Sequence, residues 1–139
     1  MLNRIITEGG KTAIESELTP DDFLEWFLGP KYALGCFVAE DDLGAVGFQV
    51  YERYHADLPA GWADIGTFIE SARRGGGVGR ALFAATRSDM RRTGTVALRA
   101  VIRHSNQGAI AFYRGLGFAE TFLWQADPEQ PNVILAFAR

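Results

Sequence analysis

A glycine-rich segment in the middle of the chain, residues 64–83, constrains the fold more than any other part of the sequence. An apolar run at residues 65–69 predicts a strand, and the cluster Gly75–Gly79 predicts a loop. Val78, Leu82 and Phe83 then recur at helical spacing. Because glycines leave no side chains in the way, backbone N–H groups of such a loop can surround an anion at the positive end of the helix. The segment therefore predicts a site for a phosphate-bearing ligand, to which Arg73, Arg74 and Arg80 could add charge-assisted hydrogen bonds.

Two common phosphate-binding loops do not match this segment. A Walker loop ends in Gly-Lys-Ser/Thr, whereas Gly79 is followed by Arg80 and Ala81. The dinucleotide fingerprint requires Gly-x-Gly-x-x-Gly/Ala, whereas the corresponding run from Gly77 ends in Leu82, and no acidic residue closes the next predicted strand. A nucleotide-binding fold is thus disfavoured.

Two other motifs, in order along the chain, match a known family. Arg-x-x-Gly-x-Gly runs from Arg74 to Gly79, directly after the predicted strand. Asn106 then opens a predicted helix that carries Phe112-Tyr113 and is followed by Gly117-Phe118. Together these motifs resemble the GNAT N-acetyltransferase superfamily over residues 33–139, and residues 2–17 loosely resemble its phosphinothricin-type branch.

The resemblance implies the GNAT fold, of the α/β (α+β) class, as a single domain at residues 1–139. This fold has a mixed, mostly antiparallel sheet with two splayed central parallel strands and flanking helices. Residues 2–8 have apolar side chains at helical spacing and stop at Gly9-Gly10, so we expect either a misplaced start codon or a sheet that lacks the family's first strand. The exposed sheet edge would favour a homodimer. Further predicted elements are strands at 34–39, 45–53 and 95–102, helices at 21–28, 78–92 and 107–114, an extended segment at 12–17, and a hairpin of 118–125 with 132–137.

The resemblance also implies acetyl-coenzyme A (acetyl-CoA) as cosubstrate. In the family, the glycine loop holds the pyrophosphate, and the pantetheine arm lies between the splayed strands. The residues implied for coenzyme binding are Phe68, Ile69, Glu70, Arg74, Gly75, Gly76, Gly77, Val78, Gly79, Arg80, Asn106 and Tyr113.

Catalysis in such a family proceeds by direct attack of an amine on the thioester, so the amine must first be neutral. Asp64 stands ten residues before Arg74, where several relatives place a carboxylate, and is the first candidate for the base. The alternative is a solvated acid at a strand start. Weaker candidates for the base are Glu70, Glu40 and Glu52. Tyr113 resembles the family tyrosine that donates a hydrogen bond to the departing thiolate, its alternative role being that of a core aromatic.

Composition bounds the remaining possibilities. The chain has 139 residues and a net charge of −3, which argues against general nucleic-acid binding. The single Cys36 and the absence of a signal-peptide pattern indicate a cytoplasmic protein. No apolar run approaches the roughly 18 residues that span a membrane, and the two histidines have no metal-ligand spacing around them, so neither a membrane partner nor a metal is expected.

The resulting prediction is an acetyl-CoA-dependent N-acetyltransferase acting on a small amine or amino-acid-like acceptor. Two alternatives stay open at this point. One is acetylation of a peptide or protein amine, and the other is a non-catalytic module that binds acyl-CoA as a sensor.

Overall fold

The computed structural model describes residues 4–6, 33–121, 123–124 and 131–139. The predictions for residues 12–17 and 21–28 lie outside these ranges. Within them the chain forms one six-stranded sheet, with the strands side by side in sequence order. The elements are β1 (Arg4–Ile6), β2 (Ala33–Asp41), β3 (Gly44–Glu52), β4 (Trp62–Ile69), α1 (Val78–Thr93), β5 (Ala97–Arg103), α2 (Gln107–Gly115) and β6 (Asn132–Ala138).

All neighbouring strands are antiparallel except β4 and β5, which are parallel. The predicted mixed, mostly antiparallel sheet with flanking helices is therefore confirmed. A parallel pair needs a crossover connection, and α1 provides it.

The predicted absence of the first strand is wrong. Residues 4–6 form β1, which pairs antiparallel with β2 from Arg4 opposite Glu40 to Ile6 opposite Val38. The helix predicted at residues 2–8 is therefore wrong as well. A helix this short is marginal in water, whereas the β-branched pair Ile5-Ile6 favours extended backbone that β2 can pair with. The argument for a homodimer through a missing edge strand loses its basis.

The β2–β3 hairpin carries an irregularity that matters for the site. Its turn is shorter than predicted, because β2 extends to Asp41 and β3 begins at Gly44, which has a φ of 127°. The register shifts between Ala39 and Glu40, where Ala39 faces Gly47 and Glu40 faces Ala45. The shift leaves Val46 as an extra residue, which bends the strand at this point.

Helix α1 packs across β2, β3 and β4. It begins after Gly77 and ends at Gly94, both in the left-handed conformation. Its predicted apolar face is confirmed, since Val78, Leu82, Phe83 and Met90 are all buried. Burying a side chain such as Leu82 completely contributes about 2 kcal/mol, so this face holds the helix on the sheet.

The parallel strands β4 and β5 separate partway along their length. They pair only at Trp62–Asp64 with Ala97–Arg99, whereas β4 continues to Ile69 and β5 to Arg103. Beyond Asp64, the edge of β4 that faces β5 has no strand partner in the described ranges. Apart from the Thr67 N–H, which is hydrogen-bonded to the Tyr113 hydroxyl, the backbone groups on this edge are therefore available to a ligand.

The end of the chain forms a shorter hairpin than predicted. β6 pairs with β5 along its whole length, and Ala119 forms a single bridge to Ala136 on the other side of β6. Residues 122 and 125–130 lie outside the described residues.

Candidate active site

A cavity of about 620 Å³ opens where β4 leaves β5. This volume suits a small-molecule site. One wall comes from the end of β4, another from α2, and a third from the bent start of β3. The described lining residues are Val38, Ala45, Val46, Gly47, Phe48, Thr67, Phe68, Ile69, Glu70, Ser71, Arg74, Asn106, Gly108, Ala109, Phe112 and Tyr113.

The glycine loop at the mouth of this cavity fits a pyrophosphate. Gly75 and Gly77 have φ values of 82° and 86°, and a Cβ at either would meet no described atom within 4 Å. Gly77 is also the N-cap of α1, whose first turn has no acidic residue. The first backbone N–H groups of a helix have no partner within the helix and favour an anion. Arg74 lines the cavity directly before this loop, so the loop lies next to the cavity in the chain.

Two residues of α1 that were predicted to bind the coenzyme, Val78 and Gly79, are packed against other residues. Val78 is 2% exposed and packs in the core. A Cβ on Gly79 would lie 2.5 Å from Cε1 of Phe112. Gly79 therefore allows the first turn of α1 to approach α2, which is a packing role that the motif alone did not reveal. Gly76 and Arg80 are exposed, and a Cβ on Gly115 would lie 3.8 Å from the Arg80 guanidinium.

Tyr113 lies on α2 with its ring buried and its side chain at the cavity wall. Its Oη is 2.8 Å from Oγ1 of Thr67. Its ring makes edge contacts with Phe112 and Phe118. Burial raises the pKa of Tyr113 to about 12, and the hydrogen bond with Thr67 opposes that rise. The hydroxyl is therefore protonated at neutral pH and can act as a donor.

Asn106 caps α2. Its Oδ1 accepts a hydrogen bond from the N–H of Ala109 at 3.1 Å, and the residue also lines the cavity. The cap closes the first turn of the helix that carries Tyr113. Asn106 thus lies at the cavity and positions α2 at the same time.

Asp64 lies away from the cavity lining, near the start of β4. Both of its oxygens accept hydrogen bonds from Arg99 on β5, at 2.6 Å from Nε and 2.9 Å from Nη2. Arg99 also donates to Asp57, and its guanidinium lies over the ring of Trp124. The side chain of Asp64 is 11% exposed. The carboxylate is therefore held in a nearly buried ion pair and reaches solvent only at its margin.

The three weaker carboxylate candidates are scattered. Glu70 lines the cavity at the end of β4. Glu52 faces Asp64 in the β3–β4 register, and its pKa is raised by burial. Glu40 lies on β2 opposite β1. Only Glu70 of these three is a described lining residue.

Several lining residues escaped the sequence analysis. Thr67 was detectable as a polar residue within an apolar strand, and Phe112 belongs to the second motif. Val46 and Gly47 line the cavity beside the shift in the β2–β3 register, which no local sequence pattern predicts.

The splayed parallel pair, the glycine loop at a helix N-terminus and the tyrosine at the cavity wall together define an N-acyltransferase fold with a coenzyme site. Residues 4–118 match the model of the Acetyltransferase (GNAT) family. The chain belongs to this family, and the predicted class of acetyl-CoA-dependent N-acetyltransferase is confirmed.

Individual relatives agree with this assignment. The chain is 31% identical over 120 residues to YwnH of Bacillus subtilis (strain 168), which is named as a candidate phosphinothricin acetyltransferase; the match covers 85% of this chain and 74% of YwnH. The GNAT domain of S. lividans PAT shares the fold, with a TM-score of 0.66 and 21% identity over 76% of this chain and 60% of that one. So does yncA of Salmonella typhimurium, solved with acetyl-CoA, with a TM-score of 0.68 and 19% identity over 87% and 74% of the two chains.

The described helices include none that is long and apolar enough to cross a membrane. Over the same residues, no group of three or more His, Cys, Asp or Glu side chains could hold a metal ion.

Proposed function

We propose that this protein transfers the acetyl group of acetyl-CoA to the amine of a small, amino-acid-like acceptor. The observation that carries the proposal is the cavity between β4 and α2, which reaches Arg74 directly before the glycine loop and has Tyr113 in its wall. The similarity to YwnH supports an amino-acid-like acceptor of the phosphinothricin type.

Binding of the coenzyme falls to backbone groups and arginine. The N–H groups at the start of α1, together with Arg74, would hold the pyrophosphate. The free edge of β4 at Phe68–Glu70 would pair with the pantetheine arm, and an N–H there would stabilise the developing oxyanion. When bound, acetyl-CoA supplies the electrophilic carbonyl.

Proton removal is assigned to Asp64, acting through water. An alkyl amine with a pKa of about 10.4 is neutral in roughly one molecule in a thousand at pH 7, so a base raises the reactive fraction. Arg99 holds both carboxylate oxygens in one orientation, and each oxygen keeps a second lone pair for a water. Glu70, by contrast, lines the cavity directly after β4, only a few residues before the glycine loop that would hold the pyrophosphate.

The Tyr113 hydroxyl donates a hydrogen bond to the departing sulfur. The amine nitrogen bonds to the carbonyl carbon, the C–S bond breaks, and the sulfur leaves with the electron pair. Complete proton transfer from a tyrosine with a pKa near 10 to a thiolate with a pKa near 8.5 has an unfavourable free energy of about 2 kcal/mol. Burial raises the pKa of Tyr113 and makes this free energy more unfavourable. The hydroxyl therefore stabilises the thiolate by a hydrogen bond, and solvent supplies the proton later.

The test is thermal melting with acetyl-CoA, CoA, NAD and ATP, followed by thiol release against amino acids, phosphinothricin, polyamines and peptides. We expect stabilisation by CoA and acetyl-CoA alone, with thiol release for an amino-acid-like amine. Stabilisation by CoA without turnover of any amine would indicate a sensor. Turnover restricted to peptides would indicate a peptide N-acetyltransferase, and stabilisation by NAD or ATP would contradict the coenzyme site.

A further inference from the structure

A fully buried glutamine on β3 has no packing role that an apolar residue would not fill better. Gln49 is 0% exposed, and its neighbours along the strand, Phe48, Val50 and Tyr51, are buried as well. Its Oε1 has no hydrogen-bond partner among the described residues. An unpaired carbonyl oxygen in a core destabilises the fold. The presence of an amide at this position therefore points to a role other than packing.

Gln49 heads a chain of hydrogen bonds that ends at the cavity. It lies directly opposite Thr67 in the β3–β4 register, and its Nε2 donates to Oγ1 of Thr67 at 2.9 Å. The same Oγ1 is 2.8 Å from Oη of Tyr113. Thr67 and Tyr113 both line the cavity. The chain thus runs from the centre of the sheet to the proposed donor hydroxyl.

The direction of the hydrogens along this chain follows from the amide. Nε2 can only donate, so it occupies one lone pair of Oγ1. The described contacts of the Thr67 hydroxyl include no acceptor for its hydrogen except Oη of Tyr113. If the Thr67 hydroxyl donates to Oη of Tyr113, the Nε2 hydrogen and the Thr67 hydroxyl hydrogen are both engaged in hydrogen bonds. The hydrogen of Tyr113 is then left to point into the cavity.

We propose that Gln49 is a positioning residue for acetyl transfer: through Thr67 it sets the order of hydrogens that turns the Tyr113 hydroxyl hydrogen toward the leaving sulfur. This inference rests on the proposed donor role of Tyr113. Without the amide, Thr67 is free to accept from Tyr113 instead, and the hydroxyl then spends part of its time turned away from the cavity. A hydroxyl that accepts from Thr67 is also a stronger donor, because linked hydrogen bonds polarise one another.

The test compares Gln49→Met and Thr67→Val in the wild-type and Tyr113→Phe backgrounds. Both substitutions keep the volume of the side chain nearly unchanged and remove one link. In the wild-type background we expect kcat to fall about tenfold, the effect of roughly one hydrogen bond on a rate, with little change in KM for acetyl-CoA. In the Tyr113→Phe background the same substitutions should change kcat less than twofold, because the group they position is gone.

Two matched variants separate positioning from packing. Thr67→Ser keeps the hydroxyl and loses the methyl group, so it should recover most of the kcat that Thr67→Val loses. Thr86→Val removes another buried hydroxyl that has no partner in the described residues. Thr86 lies on α1, outside the Gln49–Thr67–Tyr113 chain, and its loss should leave kcat unchanged.

Each outcome has a distinct meaning. Equal losses in both backgrounds, or no loss for Gln49→Met in an active enzyme with a slow Tyr113→Phe variant, would overturn the positioning role and leave the proposed function standing. An active enzyme whose Tyr113→Phe variant is as fast as the wild type would remove Tyr113 as donor and Gln49 with it. A wild-type protein that releases no thiol with any amine would overturn the proposed function, and the positioning role falls with it.

Discussion

Two opposed effects act on the pKa of the Tyr113 hydroxyl. Burial raises its pKa to about 12, because the phenolate loses its hydration, while the hydrogen bond with Thr67 favours the phenolate. With this pKa, roughly one molecule in a hundred thousand is ionised at pH 7. The donor form is therefore present across the whole physiological range, and the pH dependence of the reaction has to come from other groups.

Gly77 is the residue at which backbone conformation and ligand charge can be separated. The Cβ of Gly77→Ala would meet no described atom within 4 Å. Two effects of this substitution are therefore expected: the φ of 86° costs a non-glycine residue about 1–2 kcal/mol, and the methyl group would crowd the pyrophosphate. We expect the Kd for CoA in calorimetry to rise more than tenfold, and Gly77→Asp to abolish binding by placing a carboxylate against the phosphates. The control is Gly76→Ala, because Gly76 has no positive φ and an alanine there causes no backbone strain. Unchanged affinity in Gly77→Asp would contradict the loop assignment.

Asp64 and Glu70 can be told apart by their pH profiles. Asp64→Asn should lower kcat/KM about 10- to 100-fold at pH 7, and the loss should shrink toward the pKa of the amine, where less proton removal is needed. Glu70→Gln should leave the profile nearly unchanged. A ratio of mutant to wild-type rates that is flat with pH would remove Asp64 as the base.

The same Asp64 substitution carries a stability effect that needs its own measurement. It breaks a nearly buried pair and leaves Asp57 as the remaining described carboxylate partner of Arg99, which should lower the free energy of unfolding by about 3 kcal/mol. Urea denaturation would measure this loss, so rates can be compared at a temperature at which both proteins are folded.

At the scale of elements, the site depends on how closely α1 and α2 approach each other. In the proposed coenzyme site the first turn of α1 would supply N–H groups to the pyrophosphate and α2 supplies Tyr113, so the separation of the two helices would set the distance between the two ends of the site. Gly79 packs against Phe112 at this crossing. Phe112 also lines the cavity, so this contact lies at the cavity wall.

A size exchange at the crossing tests this view. Gly79→Ala places a methyl group 2.5 Å from Cε1 of Phe112 and 3.1 Å from Cδ1 of Ile69, and should destabilise the protein by about 1–3 kcal/mol. Adding Phe112→Leu should recover at least about 1 kcal/mol relative to the sum of the single losses. Gly108→Ala is the control, because its Cβ would approach Asn106 Oδ1 only to 3.9 Å and alanine favours a helix. Strictly additive losses in urea denaturation would contradict the close contact.

At the scale of the whole molecule, a polar network ties the helical layer to the sheet. Asp89 on α1 accepts from the Tyr51 hydroxyl of β3 at 2.6 Å and from Arg92 at 2.8 Å. Arg92 also donates to the carbonyl of Leu34 on β2. The hydrogen bonds from Arg92 and then Tyr51 lower the pKa of Asp89. The network therefore contributes to global stability only while Asp89 is ionised.

This contribution has a defined sign with pH. Because the folded pKa of Asp89 lies below the unfolded value of about 3.9, the stabilisation is fully present above that value and is lost as the pH falls through the folded pKa. Asp89→Asn should be less stable than the wild type by about 1 kcal/mol at pH 7, with a difference that shrinks below pH about 4. Urea denaturation at several pH values measures it. Glu120→Gln is the control: it removes an exposed ion pair with Arg114 and should change the stability little at any pH. A constant Asp89→Asn difference down to acid pH would contradict the assignment.

The sequence predicted well those features that depend on residues close to one another in the chain. The spacing of Val78, Leu82 and Phe83 after a glycine cluster determines a strand, loop and helix, because hydrophobic period and backbone freedom act locally. The second motif likewise predicted the Asn106 cap of α2, since a cap lies next to the turn that it closes.

What only the tertiary structure decided are the relations between distant segments. β1 exists because β2 offers it a partner, Asp64 is held by an arginine on another strand, and Gly79 is needed because α2 crosses there. Gln49 joins Thr67 and Tyr113 only through strand register and helix packing. Local patterns determine which elements can form, but the contacts among them depend on how buried surfaces fit together, and no short stretch of sequence contains that information.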